Sequence, residues 1–181
     1  MPIYTRTGDN GTTQLYSAQR VSKASPIIEL VGSLDELNSL LGICTSLLYE
    51  IEEYDFSTDA EVIESIQEDL FTVNSIIVGA KLEFDPKKET ENIEKTIDDY
   101  EKLIPPLKHF ILPGGSIASA HLHYARSQVR KVERLAVGLK SKSIQPFVPY
   151  LNRLSDLLFV MARYVNYKLD IDDVRWNSTK K

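Results

Sequence analysis

Five stretches of this chain repeat apolar residues at intervals of three and four, and that spacing restricts the fold more than any other feature. In the first, opened by Pro26, the stripe is Leu30, Leu34, Leu37, Leu41, Cys44 and Leu48. On a helix of 3.6 residues per turn these positions share one face. Proline is favoured at a helix N-terminus, where its missing amide donor costs nothing. A second stripe (Val62, Ile66, Leu70, Val73, Ile77, Ala80) predicts a helix from about Asp59 to Lys81. A third (Ile93, Ile97, Tyr100, Ile104) predicts a short acidic helix from about Thr90, stopped by Pro105-Pro106. The fourth follows Pro113-Gly114-Gly115-Ser116, with Ser116 a natural N-cap, and carries Leu122, Ala125, Val129, Val132, Ala136 and Leu139. The fifth runs from about Pro146 to Leu169 with Leu151, Leu154, Leu158, Met161, Val165 and Leu169. Strand signals are weak. The expected fold is all-α, a five-helix bundle forming a single domain over residues 1–181.

The remaining segments are read by composition. The first 25 residues are rich in Thr, Gly, Ser and Asn without helical period, and read as a loop or a plain hairpin turning at Asn10-Gly11. Residues 82–89 read as a flexible surface loop, and the last dozen residues as a loose polar tail. Cys44 is the only cysteine; it lies on an apolar stripe and reads as core. It excludes an internal disulfide and a multi-cysteine metal site and fits a reducing compartment. The net charge of −5 argues against nucleic acid as the main partner, which needs a basic footprint. No apolar run approaches the roughly 20 residues of a membrane span. The N-terminus resembles neither a signal peptide nor an amphipathic presequence, so the expected location is cytoplasmic.

Two segments carry candidate chemistry. On the fourth helix Arg126, Arg130, Glu133 and Arg134 fall three or four apart, opposite the apolar stripe. A row of guanidinium groups suits polyphosphate, since each binds phosphate oxygens through a planar fork; the plainer reading is a solvated helix face. In the fifth helix Asn152, Asp156, Arg163 and Asn166 form a polar face that can supply amide and carboxylate groups to the same pocket. In the N-terminal loop Gly8 and Gly11 let backbone amides turn inward, and Thr5, Thr7, Thr12 and Thr13 add hydroxyls, as in anion-binding nests; Lys23 adds a point charge. No Walker spacing is present. His121 and His123 point about 200° apart on a helix, which argues against a shared metal. No Ser or Cys nucleophile stands beside a base, which favours an enzyme that positions a reactive cofactor.

Taken in order, these motifs resemble the PduO-type ATP:cob(I)alamin adenosyltransferases, also called corrinoid adenosyltransferases. The resemblance rests on Ile3 to Thr12 (Ile-Tyr-Thr-Arg-Thr-Gly-Asp-Asn-Gly-Thr), Lys23, Gly32 to Asn38, Phe110 to Gly115, Leu122 to Arg126, Arg130 to Arg134, and Tyr150 to Asp156. It runs almost end to end. One departure is Lys131, where the family usually has a second arginine: the charge is kept and the fork lost.

The resemblance implies a left-handed five-helix bundle assembling as a homotrimer, with ATP at subunit interfaces. Residues 1–25 would form the ATP-binding loop and residues 26–170 the bundle. The loop (Thr5, Arg6, Thr7, Gly8, Asp9, Gly11, Thr12, Thr13) would wrap the triphosphate with Mg²⁺, the metal arriving with ATP and not on protein side chains. Lys23, Arg130, Lys131, Glu133, Arg134 and Asn152 would complete the nucleotide site. Asp35 and Arg126 would form a salt bridge between subunits near the corrinoid, and Phe110 would press on the lower face of cobalamin. Arg130, Asp35, Arg126 and Phe110 are the candidate catalytic residues. The implied activity is transfer of the 5′-deoxyadenosyl group of ATP to the cobalt of reduced cobalamin, releasing triphosphate. A reductase and a cobalamin-dependent acceptor enzyme are the implied transient partners. The competing expectation is a non-catalytic trimeric ATP- or anion-binding sensor.

Overall fold

A computed structural model describes residues 3–177. Among the described residues there are five α-helices: α1 (Pro26–Tyr49), α2 (Ser57–Ile77), α3 (Pro86–Leu103), α4 (Ile117–Gly138) and α5 (Val148–Lys168). A single 3₁₀ turn, Gln145–Phe147, leads into α5. The only sheet among these residues is a hairpin in the N-terminal loop, β1 (Thr12–Gln14) and β2 (Arg20–Ser22), paired antiparallel with Thr13 opposite Val21.

The stripes seen in the sequence form the core. Leu30, Leu34, Leu37, Leu41, Cys44 and Leu48 are all buried, as are Leu122, Ala125, Val129, Val132 and Ala136 of α4. Burial pushes the Cys44 thiol up to about 12, so it behaves as a small apolar side chain. Polar bridges fix how the helices run. Asn74 Nδ2 donates to Val31 O and Gln67 Nε2 to Asn38 O, which sets α1 and α2 antiparallel. Ser119 Oγ donates to Ala162 O at one end of the α4–α5 pair, and Asn152 Nδ2 to Glu133 Oε1 towards the other, so those helices are also antiparallel. A deep aromatic cluster joins the ends of α2, α3 and α5. Tyr100 lies edge-on to Tyr164 at 4.9 Å, and its hydroxyl donates to Asp59 Oδ1 at 2.6 Å.

Three expectations change. Residues 82–89 are not all loop, because Asp85 accepts hydrogen bonds from the amides of Lys87 and Lys88 and Pro86 follows as the first helical residue. α2 ends at Ile77 and not at Lys81, since Gly79 turns into the left-handed region at φ +103. The tail is not loose up to Asn177. Ile111 and Arg175 form an antiparallel bridge, Leu112 N donates to Val174 O, and Trp176 N donates to Phe110 O, both at 2.8 Å. The final residues, 178–181, lie outside the described ones.

Candidate nucleotide and corrinoid site

The N-terminal loop is organised by its own hydrogen bonds. Asn10 Oδ1 accepts from the amide and hydroxyl of Thr12, and Gly11 adopts φ +79 to close the turn. Thr5 and Thr7 share a hydroxyl–hydroxyl bond of 2.9 Å. Lys23 N donates to Gly11 O, and the Lys23 ammonium lies over Gly8 so closely that a Cβ there would sit 3.1 Å from Nζ. Any side chain at residue 8 would therefore displace the cation. Arg6 stands at φ 59 with its guanidinium over the Tyr4 ring. Sequence reading missed Arg20, whose Nη2 donates to Thr7 O at 2.7 Å and Thr12 Oγ1 at 2.6 Å. Asp9 and Thr13 belong to the same turn and strand, the first exposed and the second half-buried.

The arginine row of α4 lies where the wheel predicts. Arg130 and Arg134 are exposed, while Val129 and Val132 between them are buried. Glu133 receives the bond from Asn152 Nδ2 at 3.1 Å, so α4 and α5 bring these two predicted site residues together beside Arg130 and Arg134. Lys131 departs from the row. Its ammonium pairs with Glu36 Oε2 of α1 at 3.2 Å, a half-exposed bridge that ties α4 to α1. The polar face of α5 divides in two. Asp156 pairs with Arg153, which also reaches Glu94 of α3 at 2.9 Å. Arg163 and Asn166 are buried at the far end: Asn166 accepts from Ser116 N and donates to Gly114 O, and a Cβ on Gly115 would collide with its amide.

Within one chain the row and the loop do not meet. Among the described residues, no hydrogen bond joins residues 3–23 to α4 or α5. The loop instead packs Ser17 against Gly79 at the end of α2. Asp35 and Arg126 are likewise unpaired with each other inside the chain. Asp35 is exposed, and Arg126 sets its guanidinium over the Phe159 ring, 5.5 Å from the centroid. His123 is buried, edge-on to the same Phe159 ring at 5.8 Å, with neither ring nitrogen bonded to protein. Burial and the neighbouring Arg126 charge hold the His123 pKa down, opposed in part by Asp173. Phe159 was missed because it sits off the leucine stripe and carries no polar group.

Phe110 is 80% exposed, so its ring lies outside the hydrophobic core. Its ring stands edge-on to Trp176 with centroids 6.3 Å apart. The two rings, with Leu107, Lys108, His109 and Arg175, line a cavity of about 420 Å³. No group of three His, Cys, Asp or Glu side chains able to hold a metal exists among the described residues.

These features coincide with one family. Residues 3–165 match the model of the family described as cobalamin adenosyltransferase. The chain is 39% identical to the corrinoid adenosyltransferase PduO of Citrobacter freundii over 171 residues, covering 90% of this chain and 49% of that protein. It thus spans about half the length of that relative and of its Salmonella typhimurium counterpart. It is also 40% identical to the corrinoid adenosyltransferase of Bacillus subtilis, covering 97% of this chain and 92% of the relative. A variant of the PduO-type ATP:corrinoid adenosyltransferase from Lactobacillus reuteri, solved in complex with cobalamin and ATP, superposes with a TM-score of 0.89 at 32% identity, covering 98% of this chain and all of that one. With a family match over residues 3–165 and relatives this similar over nearly the whole chain, the chain belongs to the cobalamin adenosyltransferase family.

Proposed function

We propose that this chain transfers the 5′-deoxyadenosyl group of ATP to the cobalt of cob(I)alamin, forming adenosylcobalamin and releasing triphosphate. The observation that carries the reading is the cluster of Arg130, Glu133, Arg134 and Asn152, joined by the Asn152–Glu133 bond and left open to a ligand. The cob(I)alamin electron pair attacks C5′ of ATP, the C5′–O bond breaks, and its electrons leave with the triphosphate. Charge builds on that leaving group, and fixed guanidinium groups stabilise it. Thr5, Arg6, Thr7, Gly8, Asp9, Gly11, Thr12, Thr13 and Lys23 wrap the phosphates from the loop side, with Lys131 contributing charge at the edge. Mg²⁺ would arrive with the triphosphate and offset its charge, with no protein side chain assigned as its ligand.

The loop and the row belong to different subunits of a homotrimer in this reading. That assignment is supported by their separation within one chain, and it gives Asp35 and Arg126 each other as partners across the interface. Phe110 presses on the lower face of the corrin, where an exposed ring at a cavity mouth suits a large flat ligand. Excluding the lower axial ligand leaves four-coordinate Co(II), which accepts one electron from an external reductase to give Co(I). The product passes to a cobalamin-dependent acceptor enzyme. No helix among the described residues is long and apolar enough to cross a membrane, and we place the reaction in the cytoplasm.

ATP titration in the presence and absence of chemically reduced cobalamin tests the proposal. Consumption of ATP only when reduced cobalamin is present, with triphosphate released, is the expected outcome. Binding without consumption in both arms identifies a nucleotide sensor and rejects the transfer reaction.

A further inference from the structure

Arg163 is a charged side chain only 8% exposed on an otherwise apolar length of α5, and the nucleotide site gives it no task. Its guanidinium splits its donors between two segments distant in sequence. Nε donates to Asp173 Oδ2 of the tail at 2.8 Å, and Nη2 donates to Pro105 O of the loop after α3 at 2.9 Å. These two segments flank Phe110: the loop leads into it from Pro105, and the tail pairs with it through Trp176 N to Phe110 O and Leu112 N to Val174 O. A cavity of about 380 Å³ lies between loop and tail, and Arg163 and Asp173 form part of its wall. Phe110 therefore gains no support from the packed core. Its backbone is held by a two-stranded bridge, its ring by Trp176, and the bridge is anchored to α5 through Arg163.

We infer that Arg163 is a positioning residue for Phe110: it locks the loop after α3 and the tail against α5 as one piece, and so sets the height of the Phe110–Trp176 pair above the corrin-binding face. The inference rests on the proposed role of Phe110 in corrinoid activation. Burying a guanidinium is costly unless both its charge and its donors are satisfied. Here Asp173 and Pro105 O meet that need only when loop and tail are both in place, so the two segments are coupled through one side chain. A lysine cannot reproduce this, because it lacks the planar fork that reaches two partners at once.

Trp176 is the only tryptophan of the chain, so its fluorescence reports the docking of the tail without labelling. The variants are Asp173→Ala, which leaves the helical core untouched, and Arg163→Lys, with Phe110→Ala as reference. Each is measured for Trp176 emission and acrylamide quenching, for far-ultraviolet circular dichroism, and for adenosylation from both Co(II) with a reductant and pre-formed Co(I) at saturating ATP. The expected result is a red-shifted, more quenchable Trp176 with unchanged helix content, and a rate from Co(II) that falls roughly tenfold further than the rate from Co(I), with KM for ATP unchanged. If Arg163→Lys does not fold, Asp173→Ala alone carries the test. Unchanged Trp176 emission and quenching overturns the inference. So does a shifted Trp176 with equal losses on the two routes while Phe110→Ala separates them. If Phe110→Ala itself fails to separate the routes, the reading of Phe110 is what fails, and the Trp176 signal still decides whether Arg163 holds the tail in place.

Discussion

At the scale of single residues, Phe110 and His123 show how exposure assigns roles that residue type leaves open. A phenylalanine before Ile-Leu-Pro reads equally well as core or as a contact surface, and only the fold decides; at 80% exposure its ring has little packing to lose. Phe110→Ala is therefore expected to change stability by less than about 0.5 kcal/mol, against roughly 3–5 kcal/mol for a truncated core phenylalanine. Thermal unfolding distinguishes the two, and a drop on the core scale would contradict the exposed placement. His123 is the reverse case, a titratable ring that the fold buries. Its folded pKa lies below the ordinary 6.5, since burial and Arg126 disfavour the cation more than Asp173 favours it. The unfolded chain thus takes up the proton more readily than the folded one. The stability associated with neutral His123 is present above about pH 6.5 and is lost as pH falls through the folded value. His123→Phe keeps the edge contact with Phe159 and removes the titration. The melting temperature of the wild type should fall more steeply than that of the variant between about pH 7.5 and 5. Parallel curves would show that His123 does not titrate with folding.

At the scale of elements, the apolar stripes were legible because burial follows helical period directly, and each predicted stripe contributes to the core. The ends were less legible, because they depend on single capping groups. The charge-rich run around residue 85 reads as loop by composition, yet one carboxylate accepting two amides starts α3 there. Asp85→Ala should cost about 1 kcal/mol, read as a lowered urea midpoint with an unchanged slope. No change in midpoint would mean that Pro86 alone sets the start of the helix. The tail was illegible for another reason. Its order comes from a bridge to Ile111 and from the Arg163–Asp173 pair, both long-range contacts that no local pattern announces. The four polar residues of α5 read as one face, but Arg163 and Asn166 are buried and serve a different end of the helix from Asn152 and Asp156. Asn152 bonds Glu133 of α4, while Arg163 and Asn166 support loops at the opposite end.

At the scale of the whole molecule, the residues expected to form the site fall on two segments, the N-terminal loop and α4, that the fold keeps apart within one chain. The loop is braced by its own hydrogen bonds and the arginine row is exposed; among the described residues no hydrogen bond connects the two, and Asp35 forms no ion pair. Pairing across an interface accounts for both facts, so light scattering should give three times the monomer mass at micromolar protein. A monomer that still adenosylates cobalamin would dismiss the interfacial site. The central claim, adenosyl transfer from ATP to reduced cobalamin, is tested most directly by visible absorbance: chemically reduced cobalamin and ATP-Mg are mixed with the protein, and adenosylcobalamin and triphosphate are quantified. The account predicts one triphosphate for each adenosylcobalamin formed, with Arg130→Ala folded but slower by roughly 10²–10³-fold. Absence of adenosylcobalamin with ATP bound, or an Arg130→Ala rate equal to that of the wild type, would contradict it.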